Sequence, residues 1–367
     1  MATDTSREQR SGGPLDWAES RLHLGPFIGA LLHVRIPRDA KTFYLGGITL
    51  WLFAVQVITG TLLALYYRPT PDAAYESVLS ITSDVEFGWL IRSVHHWAAN
   101  LMIIFLLLHM LRIFLQAAYK YPRELTWIVG GGMFGLTIAF GFTGYLLPWD
   151  QRAYWATTVG TEIAGAVPLV GQPLLLLLRG GPDITEATLS RFFGIHVLVL
   201  PLLLAGLTVM HLLFVHQQGL ANPKRPEPRP GRRGRRAGAA EPDPATEPVK
   251  PFFPDYVLDE VIAWYAVTAA LVILATLFPA GLEAKADPLL TPEHIKPEWY
   301  FLGVYEFLKF VPRDVGIITP IVLVMVIVIL PLLDRNQEVR PRRRPIAIAC
   351  AVVLLVGLGT LTYLGGR

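Results

Sequence analysis

Charge is the first thing this chain lacks. Only 17% of its 367 residues are Asp, Glu, Lys or Arg, while 53% are hydrophobic and the mean hydropathy is +0.44. A soluble domain of this size carries about 25% charge. The deficit excludes a solvated globular surface and points to long apolar runs that cross a bilayer. Cysteine is nearly absent too: Cys350 stands alone in the last apolar run. One thiol forms no intrachain disulfide, zinc site or iron–sulfur cluster, so its expected role is packing. The opening segment MATDTSREQRSGG lacks the apolar core of a signal peptide, which leaves insertion to the first internal helix. The net charge of +3 says little alone, and no nucleic-acid partner is expected.

What is present is a series of apolar stretches near the ~20 residues a bilayer needs. The expected fold is all-α and polytopic, with a four-helix bundle followed by three further spans. The spans fall near 44–66, 88–116, 125–147, 187–215, 257–280, 315–334 and 346–364. Residues 15–36 mix apolar and charged side chains and suggest a helix lying on the membrane surface. Residues 224–248 are proline-rich and charged, a composition that forms no packed core and predicts a disordered linker. The expected organisation is a tail and surface helix over 1–43, a four-span unit over 44–223, a linker over 224–250 and a three-span unit over 251–367. Basic residues cluster in three connections: Lys120 and Arg123, the eight Lys or Arg of 224–250, and Arg335, Arg340, Arg342, Arg343 and Arg344. These share a side with the N-terminus, which the positive-inside rule makes cytoplasmic. We call this the negative side and the opposite face the positive side. Segments 67–87, 148–186 and 281–314 then lie on the positive side.

Four of the nine histidines sit deep in two spans: His95 and His109 in the second, His196 and His211 in the fourth. The separations of 14 and 15 residues are both close to four helical turns, so each pair shares a face. At ~1.5 Å rise per residue the two levels lie ~21 Å apart. Both spans start on the positive side, so His95 is level with His196, and His109 with His211. A lone intramembrane histidine can satisfy itself on a backbone carbonyl. Four at matched heights are harder to explain that way, whereas two bis-histidine haems satisfy all of them. His96 lies ~100° off that face and is set aside as a ligand. Gly46 and Gly60 in the first span, and Gly130 and Gly144 in the third, are also 14 apart. Such glycines commonly serve helix–helix packing in membranes; their repeated spacing favours close approach of a planar group to the backbone.

With these residues and the stretches FGWLIRSVHHW, FGFTGYLLPWDQ, ATLSRFFGIHVLVLPLL and ADPLLTPEHIKPEWYFL in view, the chain resembles cytochrome b of the bc1/b6f family over about residues 15–364. Its first half is similar to the b6-type chain, and its last three spans are similar to the separate small subunit of b6f complexes, here fused. The resemblance implies a quinol-oxidising bc-type complex in a bacterial inner membrane, with the N-terminus cytoplasmic. It implies two non-covalent b haems, ligated by His95 and His196 near the positive side and by His109 and His211 near the negative side. Arg92 would face a haem propionate, or else snorkel. A quinol-oxidation site on the positive side would use Glu298 as acid–base residue, with Tyr145 and Tyr300 beside it and Pro297 and Trp299 completing the PEWY stretch. A quinone-reduction site on the negative side would draw on His216, Asp259 and Glu260, which otherwise are surface residues at helix ends. Tyr44 replaces the cysteine that holds an extra haem in b6f chains, so no covalent third haem is expected. The implied partners are a Rieske iron–sulfur protein, a membrane-anchored cytochrome c (c1-like or multi-haem), a second copy of the complex, and lipid. Two rival classes are a di-haem membrane anchor of a formate dehydrogenase or hydrogenase, and a proton-relaying transporter. The PEWY stretch and second half argue against the first, and the equal four-turn spacings against the second.

Overall fold

The computed structural model describes residues 35–37, 43–221, 249–293 and 295–367. Among them, six helices are long and apolar enough to cross a membrane. Four build the first bundle: α1 (Leu45–Ala64), α3 (Gly88–Leu115), α4 (Glu124–Tyr145) and α7 (Glu186–Gln218). Between them lie α2 (Ala74–Ser83), α5 (Gln151–Gly165) and α6 (Gly171–Arg179). The second part contains α8 (Val257–Leu277), α9 (Trp299–Phe310), α10 (Arg313–Val328), the short α11 (Leu330–Leu333) and α12 (Pro345–Gly366). Helix α1 packs along α3, α4 along α7, and α9 along α12, while α8 covers α3 and α1.

Little of the long helices is covered by the chain itself. Leu198, Leu202, Val209, Val353 and Val356 stand exposed on them, an apolar surface that water would not tolerate and lipid does. The interior is thin and specific: Ile48, Leu52, Ala98, Met102, Leu204 and Leu271 form its centre. Trp51 stacks on Trp264 at 5.3 Å between ring centres. Their indole N–H groups donate to Thr268 Oγ1 (2.8 Å) and to the Gly47 carbonyl (3.0 Å), so no indole donor is left bare in hydrocarbon.

Several expectations change. The span expected at 315–334 is broken: α10 ends at Val328 and α11 begins at Leu330. Pro331 has no N–H to offer the carbonyl of Ile327 and cannot continue the ladder. Residues 35–37 are a strand rather than the end of a surface helix; they pair antiparallel with Val249–Pro251. The remainder of the expected surface helix, and the linker over 224–248, lie outside the described residues. Segment 148–186 is not a plain connection but the helical hairpin α5–α6, held by buried Arg179 on Thr161 Oγ1, the Thr158 and Pro182 carbonyls, and Glu162. Cys350 is exposed on α12. As a small hydrophobe it suits an apolar surrounding without a core partner.

The chain thus has a loop-rich end, carrying α2, α5, α6 and residues 278–298, and a basic end, carrying 116–123 and 334–344. At the loop-rich end Asp150 caps α5 by accepting from the Ala153 N–H (2.9 Å) and also accepts from the Glu283 N–H (3.2 Å). Backbone bonds from Gln151 to Ala284 and from Ala286 to Trp149 complete the clasp. The segment after α8 is thereby fastened over the mouth of the first bundle.

Candidate functional site

The matched heights of the histidines are realised in space. The rings of His95 on α3 and His196 on α7 face each other with centres 6.4 Å apart and planes at 70°. Two metal–imidazole bonds of about 2 Å each, plus the ring radii, require centres about 6 Å apart. The spacing therefore fits one metal between them. His109 on α3 stands against Gly46 of α1, and His211 on α7 against Gly130 of α4.

Unequal spacing is reconciled by a local distortion. Fifteen residues at about 100° each overshoot four turns by about 60°, whereas fourteen fall short by about 40°. Helix α7 absorbs the difference in a π-helical turn over Ile195–Val199, where the Leu200 N–H reaches back to the Ile195 carbonyl. Pro201, lacking an N–H for Val197, favours that wide turn. His196 sits inside it, so its register with His211 becomes that of His95 with His109.

Each histidine is backed by one of the four glycines. A methyl group on Gly46 would lie 3.3 Å from His109 Cε1, on Gly60 3.1 Å from His95 Cε1, on Gly130 3.4 Å from His211 Cε1, and on Gly144 2.5 Å from His196 Cε1. The sequence suggests glycines that admit a planar group; the first atom each meets is an imidazole edge. The glycines set the rings back into the neighbouring helix. Hydroxyls complete half of this arrangement. Thr59 Oγ1 lies 2.8 Å from His95 Nδ1, and Thr143 Oγ1 3.1 Å from His196 Nδ1. His109 Nδ1 and His211 Nδ1 are buried and have no hydrogen-bond partner among the described residues.

A cavity of about 710 Å³ opens beside His95 and His196 at the loop-rich end. That volume lies within the range of cofactor and substrate pockets. Arg92, Gly60, Gly144, Tyr145, Glu298 and Tyr300 also line it. Glu298 is the residue before α9, and its carbonyl accepts from Phe301 (2.8 Å) and Leu302 (3.2 Å). Its side chain makes no cap bond. Burial pushes its carboxyl above the ordinary range, with the charge of Arg152 opposing. Burial likewise raises the Tyr300 phenol, aided by the charges of Glu298 and Tyr145. Arg152 stands between Tyr145 and an ion pair with Glu283 at the cavity wall.

Other expected residues are placed differently. Trp299 turns to α3, donating from its indole to Asn100 Oδ1 at 2.7 Å, and Pro297 is not among the lining residues. Arg92 lines the cavity but spends two donors on the carbonyls of Ala280 (2.7 Å) and Gly281 (2.6 Å); a guanidinium has five. At the basic end, Asp259 accepts from Tyr44 (2.6 Å) and pairs with Lys250. Glu260 lies against Gly47, where a methyl would meet its Oε1 at 2.5 Å, next to the glycine that backs His109. His216 is exposed on the last turn of α7, and no hydrogen bond joins it to either acid. The sequence reading missed Thr59, Thr143, Asn100, Arg152 and Glu283. For the threonines a signal exists: the dipeptide Thr-Gly recurs at 59–60 and 143–144.

Comparison with known proteins adds independent findings. Residues 33–219 match the family model described as Cytochrome b/b6/petB, and residues 285–367 match Cytochrome b(C-terminal)/b6/petD. The chain is 37% identical over 368 residues to a cytochrome bc complex cytochrome b subunit of Chlorobaculum thiosulfatiphilum, spanning 98% of this chain and 81% of that one. A solved hyperthermophilic respiratory Complex III contains a chain that superposes with TM-score 0.82 at 32% identity, covering 96% of this chain and 91% of that one.

Proposed function

This chain belongs to the cytochrome b/b6 family and is the cytochrome b subunit of a bc-type, Complex III-like oxidoreductase embedded in a membrane, and from that premise we propose that it oxidises quinol at the loop-rich end and delivers electrons to quinone at the basic end. The loop-rich end is the positive side, and the basic end, with the N-terminus, is the cytoplasmic side of a bacterial inner membrane. The observation that carries this reading is the pair of facing imidazoles, 6.4 Å apart and opening on the same cavity as Glu298, Tyr145 and Tyr300.

His95 with His196, and His109 with His211, would hold two non-covalent b haems. The fit is supported by the ring spacing, the four glycine cradles and the neutral-imidazole donor set. Bound there, the haems supply one-electron carriage across ~21 Å of a ~30 Å hydrocarbon core. The chain's own residues do the rest. Glu298, raised by burial, accepts a proton from quinol and releases it toward Arg152 and Glu283 at the mouth. Tyr145 and Tyr300 bound the substrate's space. Trp299, anchored on Asn100, fixes the start of α9 and with it Glu298. At the basic end Glu260, Asp259 and His216 are candidate proton donors for quinone. One quinol electron leaves for a Rieske iron–sulfur protein, and a membrane-anchored cytochrome c follows; the complex is a dimer. No covalent third haem is held, because Tyr44 stands where a cysteine would be required. Charge separation between the two ends generates a proton gradient. The domain division is a di-haem unit over 44–223 and a three-span unit over 251–367.

Two measurements on the purified complex test this. A pyridine haemochrome assay is expected to give two b-type haems per chain, and quinol is expected to reduce a cytochrome c only when the iron–sulfur partner is present. One haem per chain, or quinol oxidation indifferent to that partner, rejects the proposal.

A further inference from the structure

The two histidine pairs differ in one chemical detail. Thr59 Oγ1 donates to the Val55 carbonyl at 2.7 Å, and Thr143 Oγ1 donates to the Ala139 carbonyl at 2.9 Å. Each bond is the back-bond to the preceding turn that a helical threonine makes. A hydroxyl has one hydrogen. With it committed to the helix, each oxygen can only accept from the imidazole beside it. His95 and His196 therefore carry their proton on Nδ1, and the lone pair stays on Nε2, the nitrogen left for a metal. At the other level the residues preceding the glycines are Leu45 and Val129, which offer no acceptor. Among the described residues neither His109 Nδ1 nor His211 Nδ1 has a side-chain acceptor.

We infer that Thr59 and Thr143 are positioning residues that set the potential difference between the two metal levels. An acceptor on Nδ1–H makes the imidazole a stronger donor through Nε2 and favours the more positive, oxidised metal. Hydroxyl acceptors at both rings of the loop-rich level, and at neither ring of the basic level, lower the potential of the first relative to the second. Electrons released at the cavity then run downhill toward the basic end. The direction of transfer is thus built into which of the four glycines follows a hydroxyl residue. Orientation comes with it, since each hydroxyl also holds its ring against Gly60 or Gly144.

The inference rests on the proposal that these imidazoles ligate haem, and the test separates the two. In the intact complex, Thr59→Val, Thr143→Val and the double variant are titrated optically against ambient potential, each haem being followed by its own band. Each lost acceptor is expected to raise the reduced-to-oxidised ratio of the haem at His95/His196 about tenfold at fixed ambient potential, the scale of one hydrogen bond. That corresponds to about 59 mV for a one-electron couple. The other haem stays put. Thr59→Ser and Thr143→Ser restore the original value. Should the valine variants lose haem, Val129→Thr decides: it places a hydroxyl before Gly130 and is expected to lower the potential at His109/His211. Retained haems with unmoved potentials in the valine variants overturn the inference, as does an unmoved potential in Val129→Thr. Absence of b-type haem from the unmodified complex overturns the ligation proposal instead.

Discussion

Replacing Gly144 by alanine tests the glycine cradle at its tightest point. The added methyl would sit 2.5 Å from His196 Cε1 and 3.1 Å from both ring nitrogens. Carbon atoms rest about 3.5–4.0 Å apart, so the ring must retreat by about 1 Å. Its Nε2 then moves by a similar distance, against a metal–nitrogen bond of only about 2 Å. Overpacking of this kind costs about 1–3 kcal/mol, and the better helix propensity of alanine returns up to about 1 kcal/mol. The chain should therefore still fold and insert, while the ligand geometry at that level fails. Gly130→Ala is the matched comparison, because its methyl meets His211 Cε1 at an ordinary 3.4 Å. Gly206→Ala, with nothing within 4 Å, is the control for helix propensity alone. A haem-to-protein ratio and a reduced-minus-oxidised spectrum on the three purified variants read the outcome. Gly144→Ala is expected to lose or shift the His95/His196 signal, Gly130→Ala to change its own signal slightly, and Gly206→Ala to match the parent. A fully loaded Gly144→Ala with an unshifted spectrum, beside a depleted Gly130→Ala, would refute the packing argument.

Four further outcomes are expected. His211→Ala should abolish the haem signal at the basic end and block reoxidation of the other; both signals surviving would undo the pairing. Glu298→Gln should slow quinol oxidation about a hundredfold with haems retained. Burial raises this carboxyl and a base works only when ionised, so parental turnover should climb with pH through a value above the ordinary carboxylate range. The variant should lose that limb, and unchanged turnover would remove Glu298 from the proton path. At the basic end, Arg344 is buried against Tyr119 (2.6 Å) and the Phe114 carbonyl (3.0 Å), with Asp334 at 3.7 Å. Arg344→Met should cost about 3 kcal/mol, seen as a lower Tm in detergent. Burial raises the Asp334 carboxyl, but hydrogen bonds from Tyr119 and Lys120 outweigh it and hold it low. A depressed carboxylate contributes stability above its unfolded pKa of about 4, and that contribution fades as pH falls below it. Melting curves of Asp334→Asn should accordingly lose part of the acid-side slope.

The apolar period and length of six spans, the family, the four histidines and their glycines were all legible in the linear chain. Each depends on local quantities: hydropathy over about twenty residues, and a helical repeat that turns spacing into a shared face. Glu298, Tyr145 and Tyr300 were legible only through resemblance, because nothing in a lone carboxylate or phenol announces a cavity. Tertiary structure alone decided the rest. It broke the sixth expected span at Pro331 and paired residues 35–37 with 249–251. It turned Trp299 toward Asn100 and brought Arg152 and Glu283 to the cavity mouth. It inserted a π turn at His196 so that fifteen residues do the work of fourteen. The physical reason is common to all of these. A hydrogen bond or ring contact between residues far apart in sequence is set by which helix faces meet. That choice belongs to the packing of the whole chain and to no stretch of it.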